Sequence, residues 1–120
     1  MKKCILLFCF LSCTLFLACF KPNLSTMPDN ERQELNKITE KYYNCVVKII
    51  ANTDDFKTDI ETLADNAIYL CKKYEKESTA IIINYDGGEW SSVGYNDAMR
   101  EDVKRRAIYT SLNGRKTKYQ

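Results

Sequence analysis

Thr79-Ala80-Ile81-Ile82-Ile83-Asn84-Tyr85 decides whether this chain is all-α or mixed. Three consecutive Ile flanked by Ala, Thr and Tyr have the composition of a β-strand. A lone strand, however, leaves its backbone donors and acceptors without partners, and no clear partner strand exists elsewhere in the chain. Upstream, Ile60, Ala64, Ala67, Cys71 and Tyr74 step by three and four residues, and the step continues through Ser78, Ile81 and Tyr85. The stretch is therefore expected to end a helix spanning about 58–84. Thr58-Asp59-Ile60-Glu61 would open it as a capping box, with Thr58 and Glu61 satisfying each other's orphan amides.

Two more segments have helical periodicity. Leu35, Ile38, Tyr42, Cys45 and Ile49 share one face of a segment of about 29–51, with Glu34, Lys37, Lys41, Asn44 and Lys48 opposite. Asp29, Asn30 and Glu31 suit its N-terminus. Met99, Val103, Ala107 and Thr110, widened by Ile108 and Leu112, mark a third helix of about 96–113, which Asn113-Gly114 is expected to stop. Asp86-Gly87-Gly88 through Gly94 reads as a loop, and residues 115–120 as a frayed polar tail. Trp90 in that loop either caps the core or offers an exposed anchor. The expectation is an all-α domain of three amphipathic helices over residues 29–114.

The N-terminus differs in kind. Of the first 18 residues 14 are hydrophobic, and they follow the short basic segment Met1-Lys2-Lys3. The apolar run Cys4 to Phe20 ends at Lys21-Pro22-Asn23. It is at the lower edge of what spans a bilayer, so the layout suits a secretory signal better than an uncleaved anchor. At its end, Leu15-Phe16-Leu17-Ala18-Cys19 resembles the lipobox of bacterial lipoproteins, with Phe16 standing where Leu is usual. The resemblance implies a signal peptide over 1–18, lipidation at Cys19 and a tether over 19–28. Two or three acyl chains would hold the protein on a membrane, facing the periplasm or the cell exterior. Phe20 in place of Asp would permit transfer to the outer membrane in an envelope of the Gram-negative type.

With Cys4, Cys9, Cys13 and Cys19 in the leader or lipidated, Cys45 and Cys71 remain. An even pair in an exported domain reads as one disulfide. Ideal antiparallel helices would leave the two roughly 9 Å out of level at 1.5 Å per residue, whereas a disulfide needs Cα atoms within about 7 Å. Either the connecting loop folds back, the helices cross at an angle, or the thiols stay free.

The chain has no His among its 120 residues. That excludes Ser-His-Asp and Cys-His catalysis, His-ligated metals and His-based pH switching. No phosphate-cradling glycine loop or metal quartet is present, so no cofactor, metal or enzymatic activity is expected. Charge is concentrated in two places. Asp54, Asp55, Asp59, Glu61 and Asp65 make an acidic patch that either decorates the first turn of the second helix or meets the third. Arg100, Lys104, Arg105, Arg106, Arg115, Lys116 and Lys118 face only Glu101 and Asp102 in the last 21 residues. Arg100, Lys104, Arg105 and Arg106 are the candidate contacts for an anionic partner: lipid headgroups, a surface polymer or an acidic protein. Nucleic acid is not expected for an exported chain. The functional expectation is a non-enzymatic envelope protein that binds another macromolecule, in an accessory, inhibitor or immunity-like role.

Overall fold

The computed structural model describes residues 26–86 and 89–120; of residues 86, 89 and 90 only the backbone is described. The expected signal peptide, the expected lipidation site Cys19 and the Trp90 side chain lie outside this set. The described residues form helices joined by short connections, with no strand among them: α1 (Asp29–Thr53), α2 (Ile60–Leu70), α3 (Lys73–Asp86) and α4 (Glu89–Lys118). The all-α expectation holds, but the described residues form four helices rather than three.

The expected helix over 58–84 is broken at Cys71 and Lys72. No Gly or Pro lies near the break, so local propensity does not cause it. Cys71 is the C-terminal cap of α2, and its N–H bonds to the Ala67 carbonyl. Tighter i→i−3 bonds then carry the chain across: Lys72 N–H to Tyr69, Tyr74 N–H to Cys71 and Glu75 N–H to Lys72. Cys71 is also disulfide-bonded to Cys45 of α1, with Cα atoms 6.1 Å apart. The break thus falls where α2 is tied sideways to its neighbour. The register problem is relieved in the connection, since α1 extends to Thr53 and the six-residue loop 54–59 folds back before α2. The cap of α2 is Asp59, whose carboxylate accepts the Thr62 N–H at 3.1 Å, rather than Thr58.

The buried stripe passes through the break without losing phase: Ile60, Ala64, Ala67 and Cys71, then Glu75, Ser78 and Ile82. The Ile81–Ile83 stretch is helical, with Ile82 fully buried against Met27 and Leu35. α1 runs antiparallel to the α2–α3 rod, and α4 packs beside α1 in parallel. Because α1 has neighbours on two sides, its stripe rotates to Leu35, Ile38, Tyr42, Val46 and Ile50, leaving Cys45 and Ile49 half-buried.

α4 is longer than expected at both ends. It starts at Glu89 and incorporates Gly94, because Ser92 and Tyr95 extend the buried row of Met99, Val103 and Ala107. It also passes through Asn113-Gly114, costing about 1 kcal/mol for the glycine relative to Ala. Arg115 offsets that cost: its guanidinium bonds to both Asp54 carboxylate oxygens and to the Thr58 carbonyl. Residues 115–118 are therefore helix rather than frayed tail. At the other end, Met27 is 3% exposed and is packed with Leu35 and Ile82, while Thr26 meets the Tyr85 hydroxyl. Residues 26–27 therefore pack at the end of the bundle where α3 finishes.

Candidate functional site

α4 presents its cations in an ordered way, and the rest of the bundle answers most of them. Arg100 grips Glu75 of α3 bidentately, Nε to Oε1 and Nη2 to Oε2, both at 2.8 Å. Its third nitrogen donates to Asp97 at 3.0 Å. Glu75 is 7% exposed at its side chain and also accepts the Tyr42 hydroxyl of α1 at 2.8 Å. Burial works to raise the Glu75 carboxyl, but the Arg100 guanidinium and the Tyr42 hydroxyl outweigh it and hold it below the ordinary value. Burial and the adjacent carboxylate push the Tyr42 phenol up. Beside this network, Asn96 donates to Thr79 Oγ1 at 2.7 Å and to the Glu75 carbonyl at 3.2 Å.

Lys104 pairs with Asp65 of α2 at 2.6 Å, and that carboxylate raises its ammonium pKa. Arg106 pairs with Glu40 of α1 at 2.9 Å and lies 4.3 Å over the Tyr43 ring. Arg105 is different. Its side chain is 81% exposed, and its one ion pair is with Asp102 on its own helix. The acidic patch meets the basic helix at two points, Asp65–Lys104 and Asp54–Arg115. Arg115 holds the Asp54 carboxyl below the usual range, against the effect of burial, with help from the Phe56 N–H.

Beyond the last buried layer, the bundle is open. A cleft of about 250 Å³ lies between the ends of α1 and α4, with Ile50, Ala51, Thr110 and Gly114 on its walls and Phe56 and Lys118 at its rim. Phe56 has φ of 60°, in the left-handed region, and is 38% exposed. Elsewhere on the surface, Tyr69 and Leu70 end α2 with 74% and 64% exposure, and Tyr109 and Leu112 share the outer face of α4 with Arg105.

The Glu75 network and the cleft were not singled out by the sequence. Glu75 did carry a signal, since a carboxylate one turn after Cys71 falls on the continuing buried stripe. Among the described residues no cluster of His, Cys, Asp and Glu is placed to hold a metal ion, and no helix is long and apolar enough to cross a membrane. Comparison of the chain with protein-family models, curated proteins and solved structures finds no match.

Proposed function

We propose that this chain is a lipid-anchored protein of a bacterial envelope that binds another macromolecule and catalyses no reaction. The observation that carries the reading is Leu15-Phe16-Leu17-Ala18-Cys19 at the end of an apolar run that follows Met1-Lys2-Lys3. The domain's features are consistent with such a life. A disulfide spans its first two helices, as suits an oxidising compartment. Met27, eight residues after Cys19, is buried and fixes the end of the tether to one end of the bundle. The large apolar side chains left exposed, Tyr69, Leu70, Tyr109 and Leu112, are the kind that partner interfaces use.

Intact mass and membrane fractionation of the native chain, beside a Cys19→Ala variant, test this directly. A membrane-bound species beginning at Cys19 and carrying acyl mass is expected, with the variant unacylated. A full-length cytoplasmic product would refute the anchor and the export together.

A second reading, binding of anionic lipid or surface polymer through Arg100, Lys104, Arg105 and Arg106, is favoured by the exposure of Arg105. Arg100, Lys104 and Arg106 already hold carboxylates of the chain, so replacing them would disturb the fold as well as any binding. Arg105→Glu separates the two. It should weaken cosedimentation with anionic vesicles and leave the melting temperature unchanged, and wild-type binding should fall steeply with salt. Salt-independent binding would refute it.

A further inference from the structure

We propose that the outer face of the α2–α3 junction, with Tyr69, Leu70, Lys72, Lys73 and Lys76, rests on a bilayer that carries anionic headgroups. None of these residues is among the four α4 cations considered above, and the proposal rests on the lipid anchor for holding the domain close to the bilayer.

The face lies opposite the buried stripe. Ala67, Cys71, Glu75 and Ser78 point into the bundle, so the five residues share the solvent side of the α2–α3 rod. Tyr69 and Leu70 are adjacent and 74% and 64% exposed. The Cys45–Cys71 bond ties the opposite side of the rod to α1, so the face stays outward.

Charge on this face is one-sided. From Tyr69 to Glu77 the segment has three lysines and two carboxylates. One carboxylate, Glu75, is buried and gripped by Arg100, and Lys72 adds to the field that keeps it low. Glu77 remains. Among the described residues none of the three lysines is in an ion pair with it or with any other acid.

A leucine that enters the acyl boundary, a tyrosine at headgroup level and lysines whose stems carry charge to phosphates make an interfacial contact. An acidic protein would use the lysines too, but position favours the bilayer. Thr26 is seven residues after Cys19, so an extended tether spans at most about 25 Å. Thr26 meets the Tyr85 hydroxyl near the end of α3. With the rod lying along the bilayer, that end stands about 10 Å above it, one helix diameter and within reach. The tether then holds the face at an effective concentration on the order of millimolar. The bundle's end at Thr26 is the poorer contact, because residues 26–36 and 77–99 contain seven acids and one cation, Arg32. Anionic headgroups repel that end, and the junction, about 20 Å along α3, takes the contact.

The test reads amide hydrogen exchange of the native full chain on vesicles of phosphatidylcholine and of an equimolar mixture with phosphatidylglycerol. The Lys72 and Tyr74 N–H groups make bonds of 3.3 Å across the break, so their exchange is a sensitive reporter there. Each lysine near an anionic surface favours contact about fivefold. Exchange over 69–76 should therefore slow at least about fivefold on the mixed vesicles and recover at high salt. Replacing all three lysines, as Lys72→Gln, Lys73→Gln and Lys76→Gln, should remove the difference between lipids at an unchanged melting temperature, since the three are exposed. Leu70→Ser should reduce the difference at unchanged charge. Retention on phosphatidylcholine vesicles reports the anchor separately: release from them refutes the anchor, while the lipid dependence of exchange still decides the contact. Equal exchange on both lipids or protection confined to residues 98–106 would overturn the proposal. Protection by soluble polyglutamate but not by phosphatidylglycerol would also overturn it, by assigning the face to an acidic protein.

Discussion

Reducing the Cys45–Cys71 bond is the perturbation whose size the structure fixes best. The bond joins residues 26 apart in sequence. Releasing that loop returns conformational entropy to the unfolded chain, and in the chain-entropy treatment this is worth about 3.5 kcal/mol at 25 °C. Small domains have total stabilities of roughly 5–15 kcal/mol, so the bond is a large fraction of the whole. Reduction is cleaner than mutation here. Cys71 is fully buried, and its replacement would add a cavity or a polar atom to the same measurement. The assay is urea unfolding followed by far-UV circular dichroism, with and without reductant. With a slope of about 1.5 kcal/mol/M, the midpoint should fall by roughly 2 M. The helical signal before the transition should not change, because the buried stripe is continuous through the break at Cys71–Lys72. A stability change below about 1 kcal/mol would refute the loop-entropy argument. Loss of helicity on reduction alone, before urea, would refute the claim that packing without the bond suffices for the fold.

Four further outcomes follow from particular contacts. Arg100→Met leaves the buried Glu75 carboxylate with Tyr42 alone, and should cost about 2 kcal/mol in urea unfolding, less than the roughly 3–5 of a fully buried pair because the Arg100 side chain is 36% exposed. A double-mutant cycle with Glu75→Gln that gives no coupling would dismiss the pair. Glu75 and Asp54 both titrate below their ordinary values of 4.5 and 3.8. Their stabilisation is therefore complete above those values and is lost as pH falls below them, so on acidification from neutral pH the melting temperature should begin to decline only below about pH 4.5, and a decline beginning nearer neutrality would contradict this. Gly114→Ala should raise stability by about 0.5–1 kcal/mol, since the position is helical and open, and a lower melting temperature would mean the space is not there. Arg115→Ala should free the loop 54–59 and speed amide hydrogen exchange over the last turn of α4, and unchanged exchange would show that the clamp does not hold that turn.

The sequence shows helix type and location more readily than the limits of each helix. Periodicity identifies the Ile81–Ile83 stretch as helix against its β-branched composition, and the even count of cysteines outside the leader points to the Cys45–Cys71 bond that ideal helix geometry alone would have disfavoured. It misses the break at Cys71–Lys72 because nothing in Leu70-Cys71-Lys72-Lys73 disfavours helix; the break coincides with a bond to a residue 26 positions away. It ends α4 at Asn113-Gly114 because a glycine after an apolar row is a good stop signal, yet Arg115 reaches Asp54 and the helix continues. Both failures have one origin. A single tertiary contact worth about one to a few kcal/mol exceeds the local preference of a residue or two, and such contacts cannot be read from neighbours in sequence.

The same reasoning applies to the charges. Counted along the chain, the last 21 residues look like an unbalanced basic surface. Counted in space, Arg100, Lys104, Arg106 and Arg115 are matched by Glu75, Asp65, Glu40 and Asp54, one carboxylate each, drawn from α3, α2, α1 and the loop before α2. Helix pairing can distribute acids and bases to different strands of the bundle, so a local charge run overstates the external field whenever its partners lie elsewhere in the same chain. Arg115 and Lys118 are three residues apart on one helix and both approach Phe56. Arg115 is held by Asp54 and Thr58, and Lys118, which stands over the same ring, also acts on the Asp54 carboxylate, so even the last turn of the helix is answered by the loop before α2.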